Sequence, residues 1–156
     1  MSSRAFHVFL DGETGSGETV GVSAPELSEF DHGLLVGLLV GEGSFGGDGK
    51  QPQIVLRMHT RHERIFRWLQ ARFPGSKLYG PYDHGGRRYF QWMARGQALV
   101  AEVLPLLDPD EIATLDEYAA TRLRDMCTRY ADVIAAHERR VARAGDVAHG
   151  RSDDGG

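Results

Sequence analysis

Glu42 is the residue of this sequence whose position most strongly suggests chemistry. It lies near the end of an apolar run that reads DHGLLVGLLVGEGSF (residues 31–45), and it is the only carboxylate after the first residue of that run. Gly33, Gly37 and Gly41 recur at every fourth position, so on an α-helix they form one bare stripe. A bare stripe lets another backbone approach closely, as small residues do between packed helices. Each glycine costs a helix about 1 kcal/mol relative to alanine, so the stripe requires a compensating contact.

The partner we expect on this stripe is an identical helix. If two copies cross there, their Glu42 carboxylates lie side by side at the helix C-terminal ends, where they repel each other unless a divalent cation lies between them. Carboxylate oxygens suit Mg²⁺, which keeps several water molecules. Such ions activate water and stabilise the leaving oxygen of a phosphodiester, so the pattern indicates chemistry on a phosphate backbone. The alternative is packing of Gly33 to Gly41 against the chain's own C-terminal helix, which gives a monomer with one Glu42 and no cleavage.

His59 and Arg61 are further candidates for catalytic residues. With His62 they cluster at the predicted junction between a strand and a helix. A histidine or an arginine near metal ions could orient water or neutralise developing charge. A zinc site at His59 and His62 is not expected, because the H-E-x-x-H arrangement and a third ligand within reach are missing.

Charge is unevenly distributed along the 156 residues, a length that suits one domain. The net charge is −4, but residues 31–107 carry ten of the 18 basic residues and only six of the 22 acidic ones. Both flanks are acidic, so a polyanion site is expected only in the middle of the chain. The single cysteine, Cys127, excludes an internal disulfide and suggests a reducing cytoplasm.

No membrane and no nucleotide partner is expected. The longest apolar run is far shorter than the roughly 20 residues of a membrane span, and no signal peptide is visible. Residues 12–19, GETGSGET, match the phosphate-binding loop pattern except at its lysine, where Glu18 would repel a phosphate.

The chain is predicted to contain an N-terminal extension, one domain and a tail. Residues 1–22 look like a hairpin around a Gly, Ser and Thr loop, residues 23–144 form the domain, and residues 145–156 are predicted to be disordered. The domain begins with a helix capped by Ser23. Its later elements are predicted from periodicity: strands at 44–45 and 53–59, a helix at 61–73, strands at 77–82 and 87–94, a short helix at 97–107, and a long amphipathic helix from Asp108 with at most one break.

The stretch Leu35-Val-Gly-Leu-Leu-Val-Gly-Glu-Gly43 resembles the LAGLIDADG motif of homing endonucleases. It matches both leucines, the first glycine, the final acidic residue and the last glycine of that motif. The element order is also similar to the core of this family over roughly residues 27–125. The resemblance implies an α+β fold with an αββαββα core, an antiparallel saddle-shaped sheet and an added C-terminal helix. One motif per chain implies a homodimer on double-stranded DNA, joined through Gly33, Gly37, Leu38 and Gly41.

The resemblance also implies a site. Glu42 and Gly41 would bind Mg²⁺ shared across the dimer, and the sheet face away from the helices would contact the major groove and position the DNA for metal-dependent cleavage. Alternation along one strand places Gln53, Val55 and Arg57 on a single face. The expected DNA-contacting residues are Lys50, Gln53, Arg57, Lys77, Tyr79, Arg87, Tyr89 and Gln91, because arginine and glutamine make paired hydrogen bonds to base edges.

Two other functions remain open. Active members of the family carry a glutamine at the end of the second strand and a lysine after the third helix, where this chain has Met58 or His59 and Asp110. A DNA-binding regulator that has lost cleavage is therefore one alternative. A dimeric interaction protein without nucleic acid is the other, and the acidic flanks favour it.

Overall fold

A computed structural model of the protein describes residues 23–149. These residues form an α+β domain in which a four-stranded antiparallel sheet of order β1-β2-β4-β3 is covered on one face by helices. The hairpin predicted within residues 1–22 lies outside the described residues. In the described part, no helix is long and apolar enough to cross a membrane.

The predicted order of a helix and two strands, repeated once, is confirmed. The first repeat consists of α1 (Glu29–Glu42), β1 (Gly43–Gly47) and β2 (Pro52–His59), and a 3₁₀ turn (Thr60–His62) leads into the second, with α2 (Glu63–Arg72), β3 (Lys77–His84) and β4 (Arg87–Arg95). The next helical segment, α3, has three parts: an α-helical turn (Gly96–Ala98), a π-helix (Leu99–Val103) and a 3₁₀ turn (Leu104–Leu106). The last helices are α4 (Pro109–Ala113), α5 (Glu117–Arg129) and α6 (Ala131–His149).

Helix α1 begins later than the sequence predicted. The side chain of Ser28, not that of Ser23, caps the helix by accepting a hydrogen bond from the backbone N–H of Asp31 at 3.1 Å. Both serines are followed three residues later by an acidic residue, so the sequence offers two capping signals. The structure uses the second one, and Pro25 lies outside the helix.

The C-terminal helix is broken at two places, where the sequence predicted at most one. Asp116 caps α5 by accepting the N–H of Ala119 at 2.7 Å, which separates α5 from α4. Tyr130 has φ −110° and ψ 24° and separates α5 from α6. Helix α6 continues to His149, beyond residue 145, where the sequence predicted that the tail begins.

The core lies between the helices and the inner face of the sheet. Ile54 and Leu56 of β2 are fully buried, as the alternation predicted. The ring of Phe66 on α2 packs on Phe90 of β4 at a centroid distance of 5.6 Å. Burial of such aromatic and aliphatic side chains supplies most of the free energy that keeps the sheet and helices together.

Glu102 is the one carboxylate within this core among the described residues. It lies on α3, only 1% exposed, and its Oε1 and Oε2 lie 3.2 and 3.0 Å from the backbone nitrogen of Gly75, whose N–H donates to the carboxylate. Burial raises the pKa of Glu102 above its ordinary value, and the Gly75 hydrogen bond offsets part of this effect. The residue therefore fastens the α2–β3 loop to α3.

Candidate nucleic-acid interface

The outer face of the sheet, opposite the helices, carries a row of polar side chains across three strands. Arg57 of β2 pairs with Gln91 of β4, which in turn pairs with Tyr79 of β3. The Nε–H of Arg57 donates to Oε1 of Gln91 at 2.6 Å. Arg57 and Tyr79 are exposed, so this central row presents guanidinium, amide and phenol groups to the outside.

A second row lies two residues further along the strands. His59 pairs with Tyr89, and Tyr89 pairs with Tyr82. The two tyrosine rings are in contact, with centroids 5.4 Å apart, and Tyr82 is 42% exposed. Aromatic rings and a histidine therefore extend the outer face towards the tip of the β3–β4 hairpin.

The tautomer of His59 follows from its position at the end of β2. Its Nδ1 accepts a hydrogen bond from the backbone N–H of Arg61 at 3.0 Å. A neutral imidazole that accepts at Nδ1 carries its proton on Nε2. His59 thus offers a hydrogen-bond donor to an incoming oxygen, and Arg61 contributes its exposed guanidinium beside it.

Three basic side chains and one amide also lie on the outer face. By the strand register and alternation, Lys77, Arg87, Arg95 and Gln53 point to this side. Arg95 is paired with Asp48, and Lys50 is exposed in the β1–β2 turn. None of the outward positions on the four described strands holds an aspartate or a glutamate. Positive and aromatic groups on these strands suit contact with a phosphate backbone.

Glu42 lies where α1 leads into the sheet. It is the last residue of α1, and the next residue, Gly43, begins β1 and pairs with Leu56 of β2. Its side chain is exposed, and no donor within residues 23–149 is bound to its carboxylate. No basic residue occurs in the last turn of α1, so Glu42 and the helix dipole concentrate negative charge there.

Glu42 of one chain offers a single carboxylate at the end of α1. Within residues 23–149, no group of three or more His, Cys, Asp and Glu side chains is placed to bind a metal ion. Mg²⁺ takes six oxygen ligands but is commonly bound through one or two carboxylates, water and substrate phosphates. Glu42, with the carbonyl of Gly41, fits this pattern when a second copy adds its own Glu42.

The glycine stripe of α1 is open. A Cβ placed at Gly33, Gly37 or Gly41 would meet no atom within 4 Å. Phe30, one turn before Gly33 on the same side of the helix, is 78% exposed. Leu38 lies half-buried beside the stripe. Within the described residues, the stripe thus does not pack against the chain's own C-terminal helix.

Several outer-face residues were missed at the sequence level. Tyr82 joins the face because the register of β3 shifts between Tyr79 and Tyr82, at Gly80 and Pro81. A Gly-Pro pair inside a strand is the signal that could have indicated this irregularity. Arg95 continues the alternation of Arg87, Tyr89 and Gln91, and a strand one residue longer would have included it.

No protein-family model matches the sequence, and no curated protein shows significant similarity to it. The resemblance to LAGLIDADG proteins accordingly rests on the motif around Glu42 and on the element order.

Proposed function

We propose that this protein binds double-stranded DNA as a homodimer of the homing-endonuclease type and cleaves it with Mg²⁺. The observation that carries the proposal is the central row of Arg57, Gln91 and Tyr79, on strands whose outward positions hold no carboxylate, in a sheet whose first strand directly follows Glu42. Rows of outward side chains lie about 7 Å apart along the strands. That spacing is close to the rise of two base pairs, and a two-stranded ribbon fits the major groove.

The role of each group follows from its chemistry. The terminal nitrogens of Arg57 and the amide of Gln91 can donate to guanine and adenine edges. Lys50, Lys77 and Arg87 can neutralise phosphates. The hydroxyl groups of Tyr79 and Tyr89 can donate to phosphate oxygens.

The dimer would be made along the open stripe of α1, where Gly33, Gly37 and Gly41 allow a second helix to approach. Two Glu42 carboxylates would then hold Mg²⁺, which supplies an activated water and stabilises the leaving oxygen. Arg61 would neutralise charge that develops on the phosphate, and the Nε2–H of His59 would donate to a phosphate oxygen. We also propose that the domain has the fold of homing endonucleases.

A nicking assay tests this function. Supercoiled plasmid libraries are incubated with Mg²⁺ and the unaltered protein, Glu42→Gln or Glu63→Gln. Glu63 is the matched control, because it is an exposed carboxylate on α2. We expect nicking by the unaltered protein and by Glu63→Gln, and at least about a hundredfold loss in Glu42→Gln, as for the loss of a group that stabilises a transition state. Equal nicking by all three proteins would remove Glu42 from the site.

A second candidate function is a regulator that binds DNA without cleaving it. Asp110 favours it, because this carboxylate, paired with Arg124 at 2.6 Å, occupies the segment where the resemblance places a lysine. Retention of duplex DNA at about 50 mM salt without nicking by any of the three proteins would support this candidate. Failure to retain duplex at that salt concentration would reject both.

A further inference from the structure

The β1–β2 turn, residues 47–51, has an internal frame built by Asp48. Its Oδ1 accepts the backbone N–H groups of Lys50 at 2.9 Å and Gln51 at 2.7 Å, and its Oδ2 pairs with Arg95 of β4. The two amides, that of Gln51 first, lower the pKa of Asp48 below its ordinary value. The carboxylate therefore stays ionised and defines the shape of the turn.

Tyr130 holds this turn from the junction of α5 and α6. The residue is 4% exposed, and its hydroxyl accepts the backbone N–H of Gly49 at 2.9 Å. A Cβ at Gly47 would overlap the Tyr130 ring, so the turn lies directly on that ring only because residue 47 is glycine. Contact with the C-terminal helices thus shapes the turn from its inner side.

His137 of α6 provides a second support. It is 7% exposed, and its Nε2 lies 2.9 Å from Oε1 of Gln51. Gly96, at the start of α3, has φ +58°, and a Cβ there would lie 3.0 Å from the same Oε1. The Gln51 side chain is thus enclosed between α6 and the end of β4.

We infer that Tyr130 and His137 are positioning residues that hold the β1–β2 turn so that Lys50 contacts a DNA phosphate beyond the end of the sheet. The inference rests on the proposed DNA binding. Lys50 is exposed, and no acid among residues 23–149 pairs with its ammonium group. A turn that is already ordered loses less conformational entropy on binding, so the supports act on affinity through Lys50.

The test is a double-mutant cycle on DNA binding. The proteins are the unaltered chain, Lys50→Ala, Tyr130→Phe and their combination, with Tyr118→Phe as the matched control because Tyr118 is 75% exposed on α5. Tyr130→Phe keeps the ring and removes only the acceptor of the Gly49 N–H. Each single change is expected to weaken binding about three- to tenfold, as for loss of one hydrogen bond or phosphate contact, and to lower the salt slope by about one.

The combination is expected to bind no more weakly than Lys50→Ala, because Tyr130 acts through Lys50. Hydrogen exchange without DNA should be faster at the Gly49 amide in Tyr130→Phe and unchanged in Tyr118→Phe. Losses of affinity that add in the double variant, or an unaltered affinity in Tyr130→Phe, would overturn the positioning role of Tyr130. Either result would leave the proposed DNA binding intact. Absence of duplex binding by the unaltered protein would instead reject the proposed function, and the role of Lys50 with it.

The same cycle with His137→Ala tests the second support. We expect weaker binding than in the unaltered protein and no further loss when Lys50→Ala is added. Substitution by glutamine, which can keep a hydrogen bond to Gln51, should restore most of the affinity. If His137→Gln binds as weakly as His137→Ala, the hydrogen bond to Gln51 is not what positions the turn.

Discussion

Arg57 and Gln91 face each other on β2 and β4, and the Nε–H of Arg57 donates to Oε1 of Gln91 at 2.6 Å. This bond uses one edge of the guanidinium and leaves its two terminal nitrogens without an acceptor among residues 23–149. The Gln91 amide nitrogen is likewise available. Two side chains that already hold each other in place lose little freedom when they meet a base edge, which favours a role in sequence discrimination.

Replacing Arg57 by lysine should relax sequence preference. Lysine keeps the charge but loses the planar pair of donors and the bond to Gln91. The comparison is between a duplex selected for tight binding from a random library and the random duplex itself. We expect the preference for the selected duplex to fall by about 1–3 kcal/mol, while binding to random duplex changes little. Competition binding measures both quantities. Arg64→Lys, an exposed site on α2, is the control, and an unchanged preference in Arg57→Lys would remove the pair from base recognition.

Replacing Gly37 by alanine should have opposite effects on stability in a monomer and in a dimer joined along the stripe. In the single chain, a Cβ at this position meets nothing within 4 Å, so alanine should stabilise the helix by about 0.5–1 kcal/mol. In a dimer joined along the stripe, the added methyl would force the helices apart at a cost of about 1–3 kcal/mol. We therefore expect weaker self-association in sedimentation experiments.

The control for this substitution is Gly145→Ala. Gly145 lies in α6, and a Cβ there also meets nothing within 4 Å. This variant should gain helix stability without any change in self-association. If Gly37→Ala and Gly145→Ala sediment alike, the α1 stripe is not the dimer contact.

Part of the outer sheet face was predictable because β2 alternates between buried and outward residues. The outward position of Gln53 and Arg57 follows from the buried Ile54 and Leu56 between and beside them. The end of the β3 strand was not predictable in the same way, because the irregularity between Tyr79 and Tyr82 changes which residues share a face.

The pairing of Arg57 with Gln91 was beyond sequence reasoning. The two residues lie 34 positions apart on strands that no hairpin joins, so their register is set by the packing of the whole sheet. The same holds for Tyr130. Only the structure places its hydroxyl on the β1–β2 turn.

Glu102→Gln should gain stability relative to the unaltered protein as the pH rises. Burial raises the pKa of Glu102 above its ordinary value of 4.5. The stability that the protonated carboxyl group provides is therefore complete below pH 4.5 and is lost as the pH rises through the raised pKa. Glutamine has no charge to bury and keeps an acceptor for the Gly75 N–H. Urea unfolding at about pH 5 and about pH 8 measures the difference, with exposed Glu63→Gln as control. A difference that shrinks with pH would contradict the assignment.

His137 should make the protein less stable in mild acid. Burial, and to a lesser extent the positive charge of Arg140, lower the pKa of His137 below its ordinary value of 6.5. As pH falls through 6.5, the unfolded chain binds a proton that the folded protein does not, so the free energy of unfolding decreases. Denaturation at about pH 7.5 and about pH 5.5 should show a smaller decrease for His137→Gln than for the unaltered protein. Exposed His62→Gln is the control, and equal decreases in all three proteins would mean that another group causes the effect.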